Sequence, residues 1–345
     1  MNKNRRNFLQ KSVKLTGIPL AGPLSIPYIS GADKQIENYT RDLGIKLCLA
    51  YFWGIEPRKT ALSRQMDVLG AVSPVNSGLA NLPGEKDNSR TVIRAVKNAW
   101  TREGLTLSVI EGPPYLGEKT KLGLPGRDEE IDNFITLIKN LVSGFDMRAI
   151  KNKPPINEYG NLTPEMMWEN LRYFLKAVCP EAEKHGVKLA LHPDDPPIDN
   201  IQGIPRIMTS VQAFKKMLDI YPSVYNGITF CQGSFASMGD STEQVNIPEA
   251  IQYFGKRNVI HFVHFRDVLG NKHNFEETFH DAGKTDMFAA MQAYRDIGFK
   301  GPMRPDHVPT MAGDSNDKPG YSTIGTLFAI GYIRGLMEGV GKGKY

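Results

Sequence analysis

Residues 258–264 read NVIHFVH, a short run of β-branched and aromatic side chains that closes on a histidine. Runs of the same kind precede it at 44–52 (GIKLCLAYF), 69–75, 105–111 (LTLSVIE), 146–152, 187–192 (VKLALH) and 226–231 (NGITFC), and one follows at 301–306. Helical patterns occupy the intervals 89–102, 129–142, 164–185, 211–220, 247–254 and 287–297, with a last one at 324–337. Eight strands, each followed by a helix or by room for one, imply parallel β-α-β units. Eight such units in about 300 residues predict a (β/α)₈ TIM barrel, a single α/β domain over residues 40–345. An open doubly wound sheet would carry a glycine-rich first turn, and Tyr51-Phe52-Trp53-Gly54 offers none.

The chain has 345 residues, and its 42 Lys+Arg against 37 Asp+Glu give a formal net charge of +5. That excess lies entirely in residues 1–32, where Lys3, Arg5, Arg6, Lys11 and Lys14 have no acidic neighbour. Past residue 32 the charges balance, so the basic excess is not a nucleic-acid footprint. Residues 4–10 (NRRNFLQ) resemble a twin-arginine export signal. A mildly apolar stretch broken by Pro19, Pro23 and Pro27 follows, and then the small residues Ser30-Gly31-Ala32. Residues 1–32 are therefore expected to be a targeting segment that sends the protein to the periplasm. The alternative is a disordered basic tail on a cytoplasmic protein. No apolar run reaches about 18 residues, so no membrane span is expected. Three scattered cysteines, Cys48, Cys179 and Cys231, are too few for a disulfide scaffold.

In a (β/α)₈ barrel the chemistry gathers at the C-terminal ends of the strands. Here the fifth strand ends in His192, the sixth in Cys231, the seventh in His264 and the eighth in Asp306-His307. Neighbouring strands lie about 4.8 Å apart, so side chains level on one rim can meet at one ion. Any one of these residues alone reads more economically as a packed, hydrogen-bonded core residue. The four together, on consecutive strands, read as a metal site. The two-residue period of a strand turns His261 away from His264, so His261 is expected to be structural. The same period puts Arg304 on the face of Asp306, where a guanidinium suits an anionic substrate group. Glu111, ending the third strand, is a candidate to touch substrate or close the rim, and Asn152 has the same status. Asp194 and Asp195 could bind metal, but Asp next to proline is ordinary turn chemistry, and structural use is the favoured expectation.

Five segments carry a family resemblance. They are Leu191-His192-Pro193-Asp194-Asp195-Pro196-Pro197, Cys231-Gln232-Gly233-Ser234, Phe262-Val263-His264-Phe265-Arg266, Met303-Arg304-Pro305-Asp306-His307 and Pro319-Gly320-Tyr321-Ser322. In that order they resemble the motifs of the mannonate dehydratases, whose barrel is related to the xylose-isomerase-like enzymes. The resemblance implies that His192, Cys231, His264 and Asp306 hold a divalent ion, usually Mn²⁺. It also implies that His307 and Tyr321 handle protons. The N-terminal half departs from the family pattern, with Gly112-Pro113-Pro114-Tyr115 and Lys153-Pro154-Pro155-Ile156 in place of family segments.

The activity so implied is loss of water from a sugar acid, D-mannonate giving 2-keto-3-deoxy-D-gluconate. Removing the proton next to a carboxylate builds enolate charge, which a divalent ion stabilises as a Lewis acid. Tyr321 and His307 are the candidate base and acid, and Arg304 or Arg266 the candidate holder of the carboxylate. A thiolate ligand leaves Fe²⁺ and Zn²⁺ open beside Mn²⁺. The expected partner is a small sugar acid, and the chain leaves room for a homo-oligomer. One rival is a sugar isomerase or epimerase of the same superfamily, with Glu111 as an acid/base group. Another is an exported carbohydrate-binding protein without turnover.

Overall fold

Short runs of Val, Ile, Leu and Phe form strands here because the parallel sheet buries them on both faces. The computed structural model describes residues 43–112, 117–142, 162–201, 204–239, 244–315 and 317–343. The putting together of the wall begins with β1 (Lys46–Ala50), α1 (Pro57–Gln65), β2 (Gly70–Ser73), α2 (Arg90–Arg102) and β3 (Thr106–Ile110). Then come α3 (Glu118–Leu122), α4 (Arg127–Val142), α5 (Pro164–His185), β4 (Leu189–Leu191), a small hairpin of β5 (Asn200–Ile201) and β6 (Ile204–Pro205), and α6 (Val211–Ile220). The chain continues with β7 (Asn226–Cys231), α7 (Gln232–Ser237), α8 (Ile247–Gly255) and β8 (Ile260–Phe265). A second hairpin, β9 (Val268–Asn271) and β10 (Asn274–Glu277), precedes α9 (Met287–Asp296), β11 (Pro302–Pro305) and α10 (Thr323–Lys342).

The sheet order is β3-β2-β1-β11-β8-β7-β4, parallel throughout, so the first strand pairs with the last as a barrel wall requires. Seven of the eight expected strands are thereby in place. The one expected at 146–152, with Asn152, and the leader at 1–32 lie outside the described residues. Helix boundaries follow local signals. Ser89 accepts a hydrogen bond from the Val92 amide to start α2, whose Val92, Ile93, Val96, Ala99 and Trp100 form one buried stripe. Thr163 caps α5, Pro164 opens it, and Gly186 ends it in the left-handed region at φ 65°. Among the described residues no helix is long and apolar enough to cross a membrane.

Register positions the site. Cys231 stands across from His264, Arg304 also stands across from His264, and Pro305 across from Phe265. Cys231, His264 and Arg304 therefore stand level on three adjacent strands, and just past the last of these the Asp306 amide donates to the Phe265 carbonyl at 3.2 Å.

Candidate metal centre and active site

The donor atoms of His192, Cys231 and His264 all lie within 4.8 Å of one another. Asp306 Oδ2 joins them, 3.3 Å from His264 Nδ1 and 3.7 Å from Cys231 Sγ. His192 Nδ1 lies 2.7 Å from the Pro193 carbonyl, which takes a proton on that nitrogen and leaves Nε2 facing His264 Nδ1 at 3.2 Å. Two imidazole nitrogens, a sulfur and a carboxylate oxygen converging in a buried corner fit a divalent transition-metal ion. The other ring nitrogen of His264, Nε2, lies 3.6 Å from Glu111 Oε1.

Charge favours that reading. Burial alone would push the Cys231 thiol up, but the Arg266 guanidinium and the two histidines hold it well below its ordinary value. Asp306 is likewise held ionised: Arg304 and His264 outweigh the cost of burial. His264 is the exception: penalised by burial and by Arg304 but faced by Asp306 and Glu111, it is raised to about 10, so an ion bound there must displace its proton. The surrounding cavity of about 460 Å³ is lined by four carboxylates, of Glu111, Asp195, Glu277 and Asp306, against two guanidiniums, of Arg266 and Arg304.

His307 and Tyr321 border the same cavity. Tyr321 Oη lies 3.3 Å from Asp306 Oδ1, and His307 Nε2 lies 3.9 Å from that same oxygen. Burial first, then the Asp306 charge, pushes the Tyr321 phenol up. Burial would lower His307, but Asp306 and a hydrogen bond to Glu277 raise it. Among the described residues His307 is also one of four non-glycine residues at positive φ, 45°, a strained backbone at the edge of the cavity.

The arginines are already engaged. Arg304 grips Glu111 with Nη2 at 2.9 Å and Nε at 3.2 Å, and Asp306 with Nη1 at 2.5 Å. Arg266 grips Glu277 through Nε and Nη2, and Asp195 through Nη1 at 2.6 Å. Each is 1% exposed, so neither extends a free fork into the cavity. Glu111, burial notwithstanding, is drawn down to about 2 by Arg304 and His264. That bound, ionised carboxylate is poorly placed for the acid/base work an isomerase would ask of it.

Several other residues have structural employment. His261 turns away from His264 and its Nδ1 meets the Leu189 carbonyl at 2.6 Å. Asp194 is structural but serves no turn of its own: it accepts from the Arg206 guanidinium and the Ile207 and Met208 amides, 12 to 14 residues away, and Asp195 departs from the turn expectation by pairing with Arg266 at the cavity. His280 is buried beside Phe265, and burial pushes it down to about 4. Cys48 and Cys179 are buried, and burial pushes their thiols up to about 11 and about 12. Glu277 was not singled out by the sequence. Its only signal is that it shares a face with Phe275 two residues earlier, and Phe275 lines the same cavity.

Comparison with known proteins sharpens this. The D-mannonate dehydratase (UxuA) family model matches residues 142–345. The mannonate dehydratase of Thermotoga petrophila is 33% identical over 362 residues, covering 86% of this chain and 98% of that protein. That of Streptococcus agalactiae serotype V is 33% identical over 313 residues, covering 74% of this chain and 88% of that protein. The crystal structure of mannonate dehydratase from Streptococcus suis serotype 2 superposes with a TM-score of 0.72 at 30% identity, covering 86% of this chain and 93% of that one. A xylose isomerase domain protein from Alicyclobacillus acidocaldarius shares the fold alone, with a TM-score of 0.59 at 13% identity over 87% of this chain and all of that one. Wall and neighbours together define a TIM barrel of the xylose-isomerase-like kind, with a candidate metal site at its rim. The chain belongs to the mannonate dehydratase family, a family of hydro-lyases.

Proposed function

We propose that the protein removes water from D-mannonate to give 2-keto-3-deoxy-D-gluconate. One observation carries the reading: four metal-type donors converge at the rim, and His307 and Tyr321 flank the cavity side of one of them, Asp306. In the reaction the C2–H bond breaks, a C2=C3 bond forms and the C3–O bond breaks. One proton goes to the protein, and the hydroxyl leaves as water with a proton from the protein. The resulting enol takes a proton at C3 and gives up the one on its C2 hydroxyl, becoming the 2-keto acid. His307 Nε2 and Tyr321 Oη are the groups we assign to these transfers, since both stand at Asp306 Oδ1.

His192, Cys231, His264 and Asp306 would hold the divalent ion, which supplies Lewis acidity to the oxygens of a bound hydroxy acid. We propose Mn²⁺ for it, on the family resemblance, with Fe²⁺ and Zn²⁺ the competitors that the thiolate admits. The cavity's excess of carboxylates repels a sugar acid and attracts a dication. Cation binding should therefore precede substrate binding. We assign Arg304, Arg266 and Glu111 to substrate binding through the charge and shape they give the cavity, since the two guanidiniums are taken up by protein carboxylates and the Glu111 carboxylate by Arg304. Residues 4–10 further support export by the twin-arginine route. In a reporter fusion of residues 1–32, R5K/R6K should retain the reporter in the cytoplasm, and unchanged export would remove that reading.

The test is direct. Purified full-length chain, loaded with Mn²⁺ and given D-mannonate, should form the 2-keto-3-deoxy acid, stop with chelator and resume on adding the ion back. Folded, metal-loaded protein that forms no such product would overturn the assignment.

A further inference from the structure

Glu277 ends β10, on the hairpin inserted between β8 and α9. Its Oε1 lies 2.9 Å from His307 Nδ1. The carboxylate is not free to drift, because the Arg266 guanidinium holds both of its oxygens. Arg266 is itself buried and anchored at its far end, with Nη1 2.6 Å from Asp195, 3.3 Å from Ser234 Oγ and 3.5 Å from Cys231 Sγ. Gly233 makes room for it: a Cβ there would lie 2.7 Å from Arg266 Cγ and Cδ. A fixed carboxylate thus meets one ring nitrogen of a histidine whose other nitrogen points toward Asp306 and the cavity.

A neutral imidazole carries one N–H and one lone pair, and the hydrogen bond at one nitrogen decides which is which. We propose that Glu277 is a positioning residue for His307: it accepts the Nδ1–H hydrogen, fixes the ring, and leaves Nε2 as the nitrogen that exchanges protons in the cavity. The purpose of that exchange rests on the dehydratase reading, whereas the orientation of the ring does not. The β9–β10 hairpin is then part of the active site, and Arg266 acts on His307 through Glu277.

Two measurements test this on the full chain. In the Mn²⁺-loaded enzyme, Glu277→Ala should lower kcat about 100-fold, at the low end of what a general acid/base contributes, with KM within about threefold and metal content unchanged. Glu277→Gln should recover most of the loss. Its amide oxygen belongs at the Oε1 position, which faces two donors, and there it still accepts from Nδ1–H. A kcat within threefold of wild type for Glu277→Ala, or equal loss in both variants, would overturn the proposal. The second measurement needs no turnover. Protein labelled with ¹⁵N-histidine and loaded with diamagnetic Zn²⁺, at a pH that leaves the ring neutral, should show the His307 proton on Nδ1, with His307→Gln supplying the assignment. A proton found on Nε2 would overturn the proposal even if Glu277→Ala fails to fold. Nδ1–H in a protein that does not turn over mannonate would sink the dehydratase reading and leave the role of Glu277 in orienting the ring supported.

Discussion

The strands β4, β7, β8 and β11 run out into His192, Cys231, His264 and Asp306, whereas β1, β2 and β3 run out into Tyr51-Phe52, Pro74 and Glu111. Both arcs belong to one parallel sheet, joined where β1 pairs with β11. The ligand-bearing arc ends in donors that converge on a point. The other arc ends in aromatic surface and a single carboxylate, which is spent on Arg304. One arc thus supplies reactive atoms, and the other supplies the wall and the charge that hold those atoms in place. Substitutions in the first should abolish turnover, and those in the second should act through stability or through small displacements.

The largest effect belongs to the ligand-bearing arc. His307→Ala should lower kcat by about 10³-fold or more while leaving metal content, measured by elemental analysis, at the wild-type level. Cys231→Ala should lower metal content as well as turnover. Unchanged turnover in His307→Ala would mean that the arc provides ligands only.

The seam between the arcs comes next. Arg304→Ala strips the partner from Glu111 and Asp306, and breaking a buried pair on one side costs about 3–5 kcal/mol. Denaturant unfolding of the metal-free protein should show that loss, and adding Glu111→Ala should give part of it back. If the two losses simply add, Glu111 is not held in the way its contacts with Arg304 imply.

That seam also marks where sequence reading stops. Strands and helices were legible because period 2 and period 3.6 are local, and α5, α6 and β7 begin and end at the residues the pattern indicates. The ligand candidates were legible because each finishes a strand. The engagement of the arginines was not, because Arg304 and Glu111 are 193 residues apart and nothing periodic connects them. Glu277 escaped for the same reason. It sits on an inserted hairpin rather than at a barrel strand's end, and it acquires meaning only by meeting His307 thirty residues on.

A buried charge in the wall-forming arc gives a third, pH-dependent test. Lys59 on α1 is 6% exposed and donates to the Ala50 carbonyl at 2.8 Å, and burial lowers it to about 8. Unfolded, it keeps its proton to about 10.5. Between those values the unfolded chain binds more protons, so this group makes the fold more stable as pH rises. Below about 8 the lysine is charged in both states and the burial cost is present in full; above 10.5 it is neutral in both and the cost is gone. The span is on the order of 3 kcal/mol. Lys59→Met should remove that rise from the stability–pH curve, and a variant with the wild-type slope would show that another group titrates there.

The smallest effect tests whether the wall-forming arc reaches the chemistry at all. Trp53, in the loop after β1, is 53% exposed, so its removal opens no core cavity. Its ring centroid lies 5.6 Å from that of Tyr321, edge-on, and Phe52 flanks the same tyrosine at 5.3 Å. Such an aromatic pair contributes about 0.5–1.5 kcal/mol. If that contact holds the phenol at Asp306, Trp53→Ala should lower kcat by roughly 2- to 12-fold, the same energy read as a rate, with stability and metal content unmoved. A change in KM alone would place Trp53 against the substrate instead. No change in either constant would confine the chemistry to the arc that carries the ligands, with Phe52 sufficient to seat Tyr321.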